Sequence, residues 1–133
     1  MKTARVSYLG ELRTQAQHLG SGTTIITDAP LDNHGKAEAF SPTDLVATSL
    51  ASCIMTIMGI YCQSNGIEFK AAEASVEKHM ATAPRRISKI VIDLDLSGNN
   101  WDETTKKKVI AAGKACPVAH TLEGNVDLEI NIH

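Results

Sequence analysis

From Leu45 to Ile67 the chain carries no charged residue, and that run limits what the rest of it can be. The run is long enough to cross a bilayer. Yet Thr48, Ser49, Ser52, Thr56, Gln63, Ser64 and Asn65 interrupt it, and neither a Lys/Arg asymmetry nor a Trp/Tyr belt at both ends frames it. A helix that is apolar on all sides otherwise lies at the centre of a soluble protein. The chain has 133 residues, the length of one domain, so a single domain over 1–133 is expected. A domain of that size has difficulty wrapping such a helix by itself. A second copy could cover it, so the run points to a homodimer. The small residues Ala47, Ser49, Ala51, Ser52, Cys53, Thr56 and Gly59 would also let another helix approach closely.

The ends of this helix are marked. Ser41 fits the N-cap, Pro42 the first helical position, and Asp44 completes a capping-box-like S-x-x-D. Asn65-Gly66 stops the helix after about Ser64. Upstream, Thr3–Leu9 and Leu12–His18 read as a hairpin about Gly10 and Glu11, and the β-branched run Thr23–Thr27 reads as a third strand. Asp28–Phe40 holds Pro30, Asp32, Asn33 and Gly35 and reads as a loop.

Downstream, Ile67–His79 reads as a strand whose apolar parity shifts midway, as at a bulge. Ile90, Ile92, Leu94 and Leu96 alternate with Asp93 and Asp95, the pattern of an antiparallel sheet with one wet face. Trp101–Ala115 reads as a helix with Asp102 and Glu103 in its first turn. Val126–Ile132 alternates again and closes the chain as a strand. The order β-β-β-α-β-β-α-β is that of an α+β fold.

A net charge of −2 leaves no basic footprint for nucleic acid. The N-terminal M-K-T-A-R-V-S-Y has no apolar core of a secretory leader, so a cytoplasmic location is expected. There, three cysteines are buried hydrophobes, metal ligands or redox groups rather than a disulfide framework. No C-x-x-C is present, and His18, His34, His79, His120 and His133 are scattered, which argues against a metal site. No G-x-S-x-G is present for a hydrolase.

Two thiols stand out. Cys53 lies inside the uncharged helix. Cys62 is nine residues on, two and a half turns, and so faces another way, as a packing residue would. Cys116 precedes Pro117, where a helix must break and a short one could restart through Leu122. At such an N-terminus a thiolate is favoured, which makes Cys116 the more acidic thiol on local grounds. His120 follows within one helical turn, or else is a solvated surface side chain. The faces bearing Cys53 and Cys116 could meet as a two-thiol redox site, or both could be buried structural cysteines.

The segments S-P-T-D-L-V-A-T-S-L-A-S-C-I and A-C-P-V-A-H-T-L resemble the OsmC/Ohr family, the osmotically induced and organic-hydroperoxide-resistance proteins. The resemblance implies an intertwined α+β homodimer with long central helices on curved antiparallel sheets. It implies a peroxidase for organic hydroperoxides or hydrogen peroxide, with Cys53 as the peroxidatic thiol and Cys116 as the resolving one. A lipoamide-like dithiol would be the reductant, and no metal or bound cofactor is called for. Active members commonly place a Glu ten residues before the first cysteine, paired with an Arg. Here that position is Thr43, with Asp44 beside it, and the candidate cations are Arg13 and Lys36, as in a divergent branch. Two alternatives stay open: a non-catalytic dimer whose groove, near Met55, Met58 and Phe40, holds an apolar ligand, and a redox-responsive stress protein.

Overall fold

The computed structural model describes residues 1–133. They form two compact units, Met1–Val46 and Ala47–His133.

In the first unit, β1 (Ala4–Gly10), β2 (Arg13–His18) and β3 (Thr24–Asp28) make an antiparallel sheet in that order. Gly10 pairs with Arg13, so the β1–β2 hairpin has a two-residue loop. Its two residues, Glu11 and Leu12, both have positive φ (53° and 63°), as the favoured tight hairpin turn requires. Neither is the usual Asn or Gly, and the turn is tied down instead. Lys36 Nζ donates to Glu11 Oε2 at 2.6 Å, and Leu12 N donates to the Tyr8 hydroxyl at 3.2 Å.

The expected loop after β3 contains a short 3-10 turn at Leu31–Asn33 and folds back on itself. Gly35 N donates to Pro30 O at 2.9 Å, and Ala37 N to Ala29 O at 3.2 Å. A Cβ on Gly35 would stand 1.7 Å from the Ala29 carbonyl oxygen. Gly35→Ala must therefore move backbone, and we expect a lower melting temperature and faster proteolysis of this loop than in the wild type.

Helix α1 (Pro42–Ser64) begins at a reciprocal capping box. Asp44 N donates to Ser41 Oγ and Ser41 N to Asp44 Oδ2, both at 3.0 Å. It ends in a Schellman turn: Gly66 has φ 65°, and Ile67 N donates to Cys62 O at 2.9 Å. By length and composition α1 could cross a membrane. Its residues Ala47, Leu50, Ala51, Ile54, Met58 and Cys62 are instead buried in the core of the second unit.

That second unit adds β4 (Glu73–Ala81), β5 (Arg86–Asp95), α2 (Glu103–Lys114), α3 (Pro117–Leu122) and β6 (Asp127–Ile132). The alternation expected at Ile90, Ile92, Leu94 and Leu96 is present: all four are buried, while Asp93 and Asp95 are exposed. Fully burying side chains of this size stabilises the unit by about 1.5–3 kcal/mol each, before entropy is counted.

Three features differ from the sequence expectation. The sheet is mixed, because β5 pairs β4 antiparallel but β6 parallel. α2 and α3 intervene between β5 and β6 and form the crossover that a parallel pair needs. Next, Ile67–Ala72 is not strand. Side chains from the segment after β5 take its backbone groups: Asn99 Oδ1 accepts from Lys70 N at 2.7 Å, Asn99 Nδ2 donates to Ala71 O at 2.6 Å, and Trp101 Nε1 donates to Glu68 O at 2.8 Å. Finally, the ladder irregularity lies at His79/Met80, where Ser88 is the extra residue opposite and donates to His79 O at 3.1 Å.

Candidate functional site

Cys53 sits in the middle of α1, beside the stripe Leu50–Ile54–Met58 that fills the core, and is only partly buried. Cys62 continues that stripe and is 1% exposed, the packing role expected of it. Cys116 is the N-cap of α3 with Pro117 at the first helical position, and its sulfur is wholly buried. Ala119 N donates to Cys116 Sγ at 3.3 Å. Cys53 packs against the core cluster that contains Cys116, and the two thiols interact. Two thiols sixty-odd positions apart in the sequence are thus brought to one side of the core, both free.

The surroundings of Cys116 oppose the thiolate that its place at a helix N-terminus suggests. Burial pushes the Cys116 thiol up, the Ala119 N–H pulls it part of the way back, and the hydrogen bond to Cys53 raises it further. Local helix geometry favours a Cys116 thiolate, but desolvation outweighs it. At neutral pH Cys116 holds its proton and can donate it toward Cys53.

The remaining candidates have other occupations. Asp44 caps α1, and Thr43 Oγ1 lies 3.2 Å from Ser41 Oγ at the same cap. His120 is exposed, with Nδ1 3.1 Å from Glu123 Oε1. Arg13 makes a two-pronged pair with buried Asp28, Nε to Oδ1 at 2.7 Å and Nη2 to Oδ2 at 2.9 Å, and also reaches Glu38 Oε1 at 2.8 Å. Lys36 is paired with Glu11. The sequence did not single out Asp28 or Glu38. An aspartate ending a β-branched strand was the available signal for the first.

The Asp28 carboxyl is held below the usual carboxylate range, chiefly by Arg13. Thr105 does the same for Asp102, and Lys89 for Glu129. Each is ionised more readily folded than unfolded, so each supports the fold above the unfolded pKa and stops doing so as pH falls through the folded one. The melting temperature should be level near neutrality and fall below about pH 4. Asp28→Asn should lower it at pH 7 and make the acid slope shallower.

Residues 34–131 match the family model described as OsmC-like protein. The chain belongs to this family. No curated protein matches the sequence. Among solved structures, this OsmC-like chain is 46% identical to a protein from Psychrobacter arcticus 273-4, provisionally described as an osmotic stress induced and detoxification response protein. That match covers 100% of this chain and 96% of the other, with a TM-score of 0.93. An organic hydroperoxide resistance protein OsmC from Legionella pneumophila is 15% identical over 99% and 97% of the two chains, TM-score 0.76. An organic hydroperoxide resistance protein from Elizabethkingia anophelis is 11% identical over 99% and 96%, TM-score 0.75. At those identities the last two show a shared α+β fold. The OsmC-like fold expected from the two cysteine segments is thus the one observed.

Proposed function

We propose that this OsmC-like protein is a thiol-dependent peroxidase of the stress response, acting on organic hydroperoxides or hydrogen peroxide. One observation carries the reading: a partly buried cysteine, Cys53, packed against the core cluster that holds a wholly buried one, Cys116, and interacting with it. Membership of a family whose relatives carry stress and hydroperoxide-resistance descriptions supports it at the coarser level.

Cys53, as thiolate, attacks the distal peroxide oxygen. The O–O bond breaks, an alcohol or water leaves with a proton, and Cys53 becomes a sulfenic acid. Cys116, held as a thiol alongside, then condenses with it, releasing water and forming the Cys53–Cys116 disulfide. A dithiol, lipoamide-like in its chemistry, returns both to thiols by exchange. No metal or bound cofactor enters the cycle. Arg13, Thr43, Asp44 and His120 act here through the fold, given their partners above.

We place this chemistry in a cytoplasmic homodimer. Val6, Tyr8 and Ile25 share one face of the first sheet and are 63%, 68% and 46% exposed. Phe40 and Ile60 are also more than half exposed. A second copy of the chain would cover such surface. The apolar-ligand reading is weaker, because Met58, one of its lining residues, is wholly buried against Gly113.

The test is consumption of tert-butyl and cumene hydroperoxide by the purified protein with a dithiol. Sustained turnover is expected. Consumption no faster than the dithiol alone would contradict the reading.

A further inference from the structure

The two sulfurs differ in their access to an incoming reductant. Within one copy of the chain Cys53 is partly exposed, whereas Cys116, the N-cap of α3, is wholly buried. Thiol–disulfide exchange is an in-line displacement, so the nucleophile must reach one sulfur from the side opposite the other. The second difference is what receives each sulfur once the bond breaks. Cys116 has a backbone donor already aimed at it, Ala119 N at 3.3 Å. This amide sits within the fold, so it is in place before the reductant arrives.

Resting on the peroxidase reading, we propose that the dithiol enters the Cys53–Cys116 disulfide at Cys53 and expels Cys116. One thiolate of the reductant attacks Cys53 Sγ. The Cys53–Cys116 bond breaks, and Cys116 leaves with the electron pair as a thiolate received by the Ala119 N–H, then takes up a proton. The second thiol of the reductant loses its proton and attacks its own sulfur in the mixed disulfide. Cys53 departs as thiolate, and the reductant becomes a cyclic disulfide. The protein gains the two electrons and, once Cys53 is reprotonated, the two protons that the dithiol loses. Cys116 is thus never exposed to reductant, and the buried end of the site serves only as resolving group and leaving group.

The test uses 2-mercaptoethanol, a monothiol that cannot close a ring and so leaves the mixed disulfide in place. Protein oxidised with one equivalent of cumene hydroperoxide is mixed with the monothiol and acid-quenched. Free thiols are then alkylated in denaturant, and the cysteines are mapped by mass spectrometry. The adduct on Cys53 should exceed that on Cys116 by at least about tenfold, with Cys116 recovered alkylated. Equal adducts, or a majority on Cys116, would overturn the proposal. If hydroperoxide leaves the thiols unreacted, the peroxidase reading fails. The order of attack is then read from protein oxidised with diamide, with the same two outcomes. Should diamide also fail to join Cys53 to Cys116, the proposal falls with the reading.

Discussion

Cys53→Ser should reduce dithiol-dependent hydroperoxide consumption to the rate of the dithiol alone. A serine hydroxyl at the same place is not ionised near neutral pH and has no accessible route to a sulfenic acid, so the first step is lost rather than slowed. Cys116→Ser should fail differently. Cys53 remains able to attack, so in the absence of dithiol about one equivalent of hydroperoxide is consumed quickly, and a sulfenic acid accumulates on Cys53 in place of the disulfide. Cys62→Ser should turn over at close to the wild-type rate, because Cys62 belongs to the buried Ile54–Met58 stripe. Peroxide consumption traces on the three variants check this directly. A binding protein with inert thiols would give three indistinguishable flat lines.

Gly113→Val should lower stability by about 2–3 kcal/mol, which for a chain of this length is roughly 6–12 °C in melting temperature. Gly113 is buried where α2 lies against α1. A Cβ there would lie 2.6 and 2.7 Å from Met58 Cε and Cγ and 3.2 Å from Ile54 Cγ2. Met58 and Ile54 are both fully buried, so neither can swing into solvent to make room. Gly113→Ala should cost less, since the gain in helix propensity of about 1 kcal/mol offsets part of the crowding. Ala111→Val, at an exposed position on the same helix, is the control and should stay within about 1 kcal/mol of wild type. Because Cys116 follows Gly113 by three residues, pushing α2 off α1 should also separate the thiols. Gly113→Val should therefore form the disulfide more slowly than Ala111→Val, a difference that thermal melts alone would miss.

Much of this was legible from residues with strong local chemistry. Ser41, Pro42 and Asp44 fixed the start of α1 because a capping box is written in four consecutive positions. Pro117 placed Cys116 at an N-cap for the same reason. What escaped was non-local. The segment Ile67–Ala72 alternates like a strand, yet Asn99 and Trp101, some thirty residues on, take its hydrogen bonds. Nothing in the alternation of Val126–Ile132 reveals a parallel partner, since alternation reports which face is wet and not which way a neighbour runs. For Cys116 the helix N-terminus is visible in the sequence, whereas the complete burial that raises its thiol is not. The two carboxylates that hold Arg13, Asp28 and Glu38, lie fifteen and twenty-five positions away, and no local pattern names them.

The decisive measurement is the intact mass of fully reduced protein after one equivalent of cumene hydroperoxide. The two-thiol cycle predicts the loss of two hydrogens and, on peptide mapping, a single linked pair, Cys53 with Cys116, leaving Cys62 free. An unchanged mass with three free thiols would contradict it, as would a disulfide that includes Cys62.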